Sequence, residues 1–167
     1  MNNSPDSTPV GQAMIEVCTF LVNEHCFAIL SSNVEEVLET DDITRVPLAI
    51  KEVAGLIHLR GHIVPVINMR ERLRVGSSQK KHGKLLIIRV QNDWYALLVD
   101  TVLEIKLIPT DRIEPPSVQH LHVDTDARTG IFAGENMLVH LLHPESIVQC
   151  LLKNRKPLPF PSTASSS

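Results

Sequence analysis

The chain has 167 residues, of which 43% are hydrophobic and 21% are charged, and its formal net charge at neutral pH is −3. This length is enough for one substantial core or for two small cores that share an interface. No apolar run approaches the roughly 20 residues needed to cross a bilayer, and the first residues, MNNSPDSTPVGQ, lack the basic start and apolar stretch of a signal peptide. We therefore expect a cytoplasmic protein without direct membrane insertion.

Both ends of the chain are rich in proline and small polar residues. Such segments cannot bury enough apolar surface to order themselves. We expect disordered tails over residues 1–13 and 156–167, and a single folded domain over residues 14–155.

The folded part begins with short apolar runs that are separated by turn signals. IEVCTFLV and CFAIL, at residues 15–22 and 26–30, predict strands. VEEVLE, at residues 34–39, fits a strand, but its apolar residues also fit one stripe of a helix. LAIKEVAG, at residues 48–55, fits a short helix that Gly55 ends.

The stretch GLIHLRGHIVPVINMRERL, at residues 55–73, predicts a hairpin followed by a helix. Gly61 can take the positive φ that a tight hairpin turn needs, which leaves Arg60 projecting from a rigid turn. Pro65 cannot donate to a ladder, so its strand should be at an edge or bulged there. Asn68 is a good cap for the helix NMRERLRVG that follows.

The second half of the chain is again mostly strand-like. KLLIIRV, at residues 84–90, is apolar at consecutive positions, which predicts a central strand covered on both faces. VLEIKLI, at residues 102–108, alternates strictly, which predicts a half-buried strand with Leu103, Ile105 and Leu107 on one face. WYALLV, GIFAG and MLVHLL are further strand candidates, and HPESIVQCLLKN predicts a helix with a proline in its first turn. Many short strands at close spacing indicate a barrel or a sandwich.

Catalytic signatures are missing from the sequence. It contains no GxSxG, GxxxxGK[ST] or GxGxxG pattern. The three cysteines, Cys18, Cys26 and Cys150, are too few and too apolar in context for a disulfide framework; a Cys18–Cys26 bridge across a hairpin is an alternative that the odd count and the absence of an export signal argue against. We expect free thiols, no cofactor and no enzymatic activity.

Metal and nucleic-acid binding are weaker alternatives. His120 and His122 would share a face of a strand and could bind a metal with Asp124, but no four-ligand zinc pattern surrounds them, so loop histidines are the favoured interpretation. Residues 60–84 hold seven bases and one acid, a patch that can attract nucleic acid, an anionic membrane surface or an acidic protein. Aromatic residues that could stack on bases are only 4% of the chain, and we therefore favour a solvated basic loop without nucleic acid.

The stretch around Arg60 resembles the signature of the CheW family of chemotaxis coupling proteins, roughly G-V-x-N-L-R-G-x-I-V-P-V-x-D-L-R. The similarity extends through FAILSSNVEEVLE, ITRVP, KLLIIRVQNDWYALLVDTVLEIKLIPTDRIEPP and TGIFAGENMLVHLLHPESIV, so that about residues 14–152 are covered in the family's order. His58, Asn68 and Ala96 depart from the family's usual asparagine, aspartate and glycine. They suggest a divergent member.

This resemblance implies an all-β fold of two packed five-stranded SH3-like β-barrels with a few short helices. It also implies that a glutamate, here Glu36, pairs with Arg60 on its turn with Gly61. In such proteins a helical receptor hairpin binds in a groove between the barrels, which Val34, Glu36, Arg60 and apolar residues near Leu86 would line here. The kinase surface would come from exposed apolar loop residues of the other barrel.

By the same resemblance, the partners are the cytoplasmic tip of chemoreceptors and the C-terminal regulatory domain of a CheA-type histidine kinase. The expected function is that of a non-enzymatic adaptor between the two. One alternative is a CheW-like adaptor of another pathway, in surface motility or cyclic-di-GMP signalling. The other, from a different class, is a small-barrel nucleic-acid-binding protein.

Overall fold

The structure is a computed structural model that describes residues 11–39, 42–76, 83–116 and 126–153. The predicted tails lie almost wholly outside these ranges, as do most of the predicted basic loop, at residues 77–82, and the histidine pair His120 and His122. Ala13, at the inner end of the predicted N-terminal tail, is described. Its carbonyl oxygen accepts hydrogen bonds from both the backbone N–H and the hydroxyl of Thr110.

The described residues form eleven strands and two α-helices. The strands are β1 (Met14–Val22), β2 (His25–Leu30), β3 (Val34–Glu39), β4 (Val53–Leu59), β5 (His62–Asn68), β6 (Lys84–Val90), β7 (Asp93–Val99), β8 (Thr101–Pro109), β9 (Ile113–Glu114), β10 (Arg128–Ala133) and β11 (Leu138–Leu142). The helices are α1 (Met69–Leu73) and α2 (Pro144–Lys153). No helix in these ranges has the length and apolar character needed to cross a membrane.

The strands form two sheets, which confirms the predicted all-β class. The first sheet has the order β8-β1-β2-β11-β10-β9, and the second has the order β3-β6-β7-β5-β4. The first sheet thus has six strands rather than five, because the two-residue β9 adds to β10. Neither sheet pairs its two edge strands with each other in the described residues, so each is a curled sheet that resembles an open barrel.

Three clusters of buried side chains explain why so many strands are apolar at consecutive positions. The cluster between the sheets, which we call the inter-sheet core, includes Cys18, Phe20, Phe27, Leu86 and Ile88. Each sheet also has a cluster of its own on the opposite face. KLLIIRV illustrates the pattern, because alternate residues of β6 enter the inter-sheet core and the interior of the second sheet. The prediction of a strand covered on both faces is confirmed.

The predicted helix at residues 48–55 is wrong. Leu48 has a φ of +63°, and β4 begins at Val53. The segment is instead tied to the hairpin: Thr44 exchanges backbone hydrogen bonds with Leu56 at 2.8 Å, which brings its carbonyl oxygen within 2.3 Å of where a Cβ at Gly55 would be. Gly55 therefore permits a close backbone approach, and it does not end a helix. The ambiguous VEEVLE is a strand, β3.

VLEIKLI forms a strand as predicted, but its apolar face is not the buried one. Leu103, Ile105 and Leu107 are 43%, 62% and 64% exposed, whereas Ile108 is fully buried in the first sheet's own cluster. β8 is an edge strand, and these three side chains are only partly covered by the rest of the described residues. We call these three residues the β8 stripe.

The other two predicted helices are confirmed. The side chain of Asn68 accepts a hydrogen bond from the backbone N–H of Arg70, as expected of an N-cap of α1. α2 starts at Pro144 and is held against α1 by the guanidinium of Arg72, which donates to the carbonyl oxygens of Ile147 and Ser146 at 2.9 and 2.6 Å. Both carbonyl groups lie near the start of α2, so this contact fixes where the helix docks.

A second arginine of α1 joins the two sheets. Arg70 makes a two-pronged ion pair with Asp100, at 3.1 and 2.7 Å, in the link between β7 and β8. The same carboxylate accepts from the backbone N–H of Asn23 at 2.8 Å, and the backbone N–H of Asp100 donates to Leu21. Asp100 therefore connects the β1–β2 turn of the first sheet to the helix that follows β5 of the second.

Candidate functional site: the Arg60 turn and the exposed apolar edge

The turn between β4 and β5 has the geometry that the sequence predicted. Arg60 and Gly61 form a two-residue loop with φ values of +49° and +79°, flanked by the paired residues Leu59 and His62. Two successive positive φ values are typical of a type I′ turn, which matches the twist of the strands. A Cβ on Gly61 would meet no atom within 4 Å, so the glycine is needed for its φ alone.

Arg60 is oriented by Glu36, as the resemblance implied. Their side chains approach to 2.7 Å between Nη2 and Oε1, with 63% of the arginine side chain and 23% of the glutamate side chain exposed. Glu36 lies on β3 and Arg60 joins β4 to β5, so the pair bridges opposite edges of the second sheet. The ion pair closes a gap that backbone hydrogen bonds leave open.

A second ion pair lies beside the first, and the sequence reasoning did not single it out. Arg89 contacts Glu35 at 2.8 Å, and its guanidinium lies 6.0 Å from the centre of the Trp94 ring. The ring of His62 also packs edge-on against Trp94, with the two ring centres 5.0 Å apart. Neighbouring acidic residues on β3 are thus each paired with an arginine, Glu36 with Arg60 of the turn and Glu35 with Arg89 of β6.

The two apolar residues that were predicted to line the groove, Val34 and Leu86, are partly and fully buried, respectively. Leu86 is fully buried in the inter-sheet core, so it offers no surface to a partner in this conformation. Val34 is partly buried and packs against the same core. The exposed residue at this edge is Val37, which pairs directly with Leu86 across β3 and β6 and is 44% exposed.

The β8 stripe is a second exposed apolar surface, on the first sheet. Ile105 is paired with Cys18 of β1 and Leu107 with Glu16, and because directly paired residues point to the same face, these two residues lie on the face of the first sheet that packs against the second. Leu103 lies at the bulge of β8. β8 also lies next to β6 of the second sheet. The alternation in VLEIKLI was visible in the sequence, but its exposure was not.

None of the described residues form a cluster of three or more histidine, cysteine or acidic side chains that could hold a metal. The predicted candidate, His120 and His122 with Asp124, lies outside the described ranges. The surface described above therefore consists of charges on a stiff turn and exposed aliphatic side chains. Such an arrangement suits protein contacts, in which aliphatic area supplies affinity and paired charges supply orientation.

The cysteines are free thiols, as predicted, and burial raises the pKa of Cys18, Cys26 and Cys150 above the ordinary value of 9.0. A raised thiol pKa means that the folded state holds its protons at a pH where the unfolded state has lost them. The free energy of unfolding should therefore be unaffected below about pH 8 and should fall as the pH rises through 9 and beyond.

Ultraviolet titration of the thiolates tests this expectation. The folded protein should ionise its thiols at a higher pH than the same protein in urea. Cys26→Ala should reduce the loss of stability between neutral and alkaline pH, because one raised thiol is removed. Identical ionisation curves in the folded and unfolded protein would contradict the burial of these groups.

Comparison with known proteins adds an independent line of observation. The family model CheW-like domain matches residues 16–151. The chain is similar to "Chemotaxis protein CheW" of Thermotoga maritima, at 33% identity over 103 residues that make up 62% of this chain and 68% of the relative. It is also similar to "Protein FrzA" of Myxococcus xanthus, at 29% identity over 68% of this chain and 72% of the relative. Among solved structures, the scaffolding protein TtCheW from Thermoanaerobacter tengcongensis has a TM-score of 0.71 at 26% identity, covering 81% of this chain and 88% of that one.

Proposed function

Because the chain belongs to the family of CheW-like domains, whose members are chemotaxis scaffolds and adaptors, we propose that it is a non-enzymatic adaptor that couples chemoreceptors to a CheA-type histidine kinase. The observation that carries the proposal is Arg60, exposed on a rigid turn and aimed by Glu36. A cation that is fixed in this way loses little conformational freedom when a partner binds it.

The proposed receptor-binding surface is the exposed apolar edge next to this turn. Val37 and the β8 stripe expose aliphatic side chains on both sides of the joint between the sheets. An amphipathic helix binds such a surface through side chains spaced three or four residues apart. The cytoplasmic tip of a chemoreceptor is the helical partner that we propose, which places the protein in the cytoplasm at receptor arrays. The kinase's regulatory domain would bind a separate surface.

Reconstitution with a receptor cytoplasmic fragment and a purified kinase tests the coupling. The chain should be required for the receptor fragment to control kinase autophosphorylation. Val37→Lys should weaken receptor binding by about tenfold, since the buried aliphatic contact is lost and a charge is desolvated. Leu48→Lys is the matched control, because Leu48 is fully exposed but lies in the loop before β4. Equal receptor binding by wild type and Val37→Lys would argue against the proposed surface.

A second adaptor role remains a specific alternative because one relative, Protein FrzA, carries a name other than CheW. In that case the same surfaces would serve a receptor and kinase of another pathway, such as surface motility or cyclic-di-GMP signalling. Crosslinking in cells followed by mass spectrometry distinguishes the two, since it identifies the receptor and kinase directly. A nucleic-acid role would instead give oligonucleotide binding that falls steeply with salt.

A further inference from the structure

β8 has the features of a strand that pairs with another strand. It is the edge of the first sheet in the described residues, and its neighbour on the inner side is β1. It is nine residues long, and the side chains of the β8 stripe are exposed. Natural proteins shorten, bend or charge such edges because exposed ones recruit further strands.

The backbone of β8 has free hydrogen-bonding groups along this edge. In an antiparallel pair, residues alternate between those that bond to the neighbouring strand and those that point away from it. The bond from Thr110 N–H to the carbonyl oxygen of Ala13 fixes this alternation, and it assigns Lys106 and Ile108 to the β1 side. The N–H and C=O groups of Ile105 and Leu107 therefore point outward, away from β1.

The backbone of Glu104 is also turned toward β1. Its N–H and its carbonyl oxygen both contact the hydroxyl of Thr19, at 3.2 and 2.8 Å, where β8 carries a bulge. The regular part of the edge therefore begins at Ile105 and follows the bulge at Leu103 and Glu104. Pro109, which has no N–H, ends it.

The sequence of this segment is self-complementary when it is read in opposite directions. Residues 103–107 are Leu-Glu-Ile-Lys-Leu, with an acid and a base at equal distances from a central isoleucine. We propose that a second copy of this chain binds along this edge, with the two β8 strands antiparallel and Ile105 on the two-fold axis. An isologous contact of this kind needs one surface that complements itself.

This register allows backbone hydrogen bonds, aliphatic contacts and ion pairs between the two copies. The outward backbone groups of Ile105 face those of Ile105 in the second copy, where the two residues can exchange a pair of hydrogen bonds. On the apolar face, the two Ile105 side chains are directly opposed. On the other face, Glu104 lies opposite Lys106 of the second copy. Within one chain these two side chains already form an exposed pair at 3.0 Å, so the pairing exchanges partners without burying an unpaired charge.

The contact involves few residues, so a weak, concentration-dependent dimer is expected, with a dissociation constant in the range of about 10–500 μM. The inference does not rest on the proposed function.

Sedimentation velocity over a range of protein concentrations tests the pairing through its charges. Glu104→Lys places two lysines opposite each other at both ends of the contact, and Lys106→Glu places two glutamates there. Each change should raise the dissociation constant at least about tenfold at low salt. The double variant Glu104→Lys with Lys106→Glu should restore it to within about threefold of wild type, since opposite charges again face each other.

Two controls keep the result specific. Leu48→Glu changes a fully exposed residue of the loop before β4 and should leave self-association unaltered. Glu104 and Lys106 lie on the face opposite the β8 stripe, so their single variants should bind a receptor fragment as wild type does. That separates a failure of the dimer from a failure of the proposed function. The inference is overturned if wild type stays monomeric up to about 1 mM, if the single variants associate normally, or if the double variant does not recover.

Discussion

Asp100→Ala should lower the free energy of unfolding by about 3–5 kcal/mol, the range measured when one partner of a buried ion pair is removed. The side chain of Arg70 is only 8% exposed, and its two closest contacts with a carboxylate are both made to Asp100. Removal of that carboxylate leaves the guanidinium buried without its counter-charge. It also takes away the acceptor for the backbone N–H of Asn23.

Urea unfolding at neutral pH measures this cost. Glu39→Ala is the matched control, because Glu39 also pairs with a basic residue, Lys84, but on the surface with 65% of its side chain exposed. An exposed pair contributes about 0–1 kcal/mol. Asp100→Asn should fall between the two, since the amide keeps one acceptor and loses the charge. Equal costs for Asp100→Ala and Glu39→Ala would show that this link between the sheets does not stabilise the fold.

Arg60→Glu should have the opposite profile, with a large effect on assembly and a small one on stability. Arg60 is exposed and Glu36 is half-buried, so the loss of their pair should change the free energy of unfolding by only about 1 kcal/mol. The positive φ at residue 60 costs an unbranched glutamate about what it costs arginine. In the proposed adaptor, however, the reversed charge faces a partner and repels Glu36, so binding should weaken by tenfold or more.

A pull-down with receptor fragment and kinase, together with urea unfolding, separates the two effects. Lys84→Glu is the matched charge reversal, on β6 of the same sheet and paired with Glu39. It should assemble normally. The exchange of Glu36→Arg with Arg60→Glu restores an ion pair but inverts its direction. Recovery by this double variant would mean that the pair acts only by closing the sheet, and normal assembly by Arg60→Glu alone would refute a binding role.

The local structure around the turn could be predicted because its causes are local. Gly61 follows from the φ requirement of a two-residue hairpin, and Asn68 from the unpaired N–H groups at the start of α1. The expectation that Pro65 lies on an edge strand or at a bulge is wrong, because β5 lies between β4 and β7 and pairs regularly at Pro65. The proline is tolerated because the ladder to β7 starts one residue later, at Val66. The role of Arg60 came from the resemblance, and its ion pair with Glu36 agrees with that expectation.

The errors concern contacts between distant parts of the chain. LAIKEVAG has helical spacing, but hydrogen bonds from Thr44 to Leu56 and from Asn68 to the carbonyl oxygen of Glu52 hold it against the hairpin. Intrinsic helix propensity is small for each residue and is easily outweighed by such contacts. Leu86 was placed in a groove by analogy. Its burial depends on the first sheet, which packs over β6.

The sequence by itself determined the all-β class, the strands with two apolar faces, the hairpin with its exposed arginine and two of the helices, because turn geometry, capping and side-chain alternation act over a few residues. Only the tertiary structure decided which face of an alternating strand is covered. Leu103, Ile105 and Leu107 have the pattern of a buried face, but they are exposed because β8 is the last strand of its sheet. Burial depends on which surface lies opposite, and that is set by the packing of the two sheets.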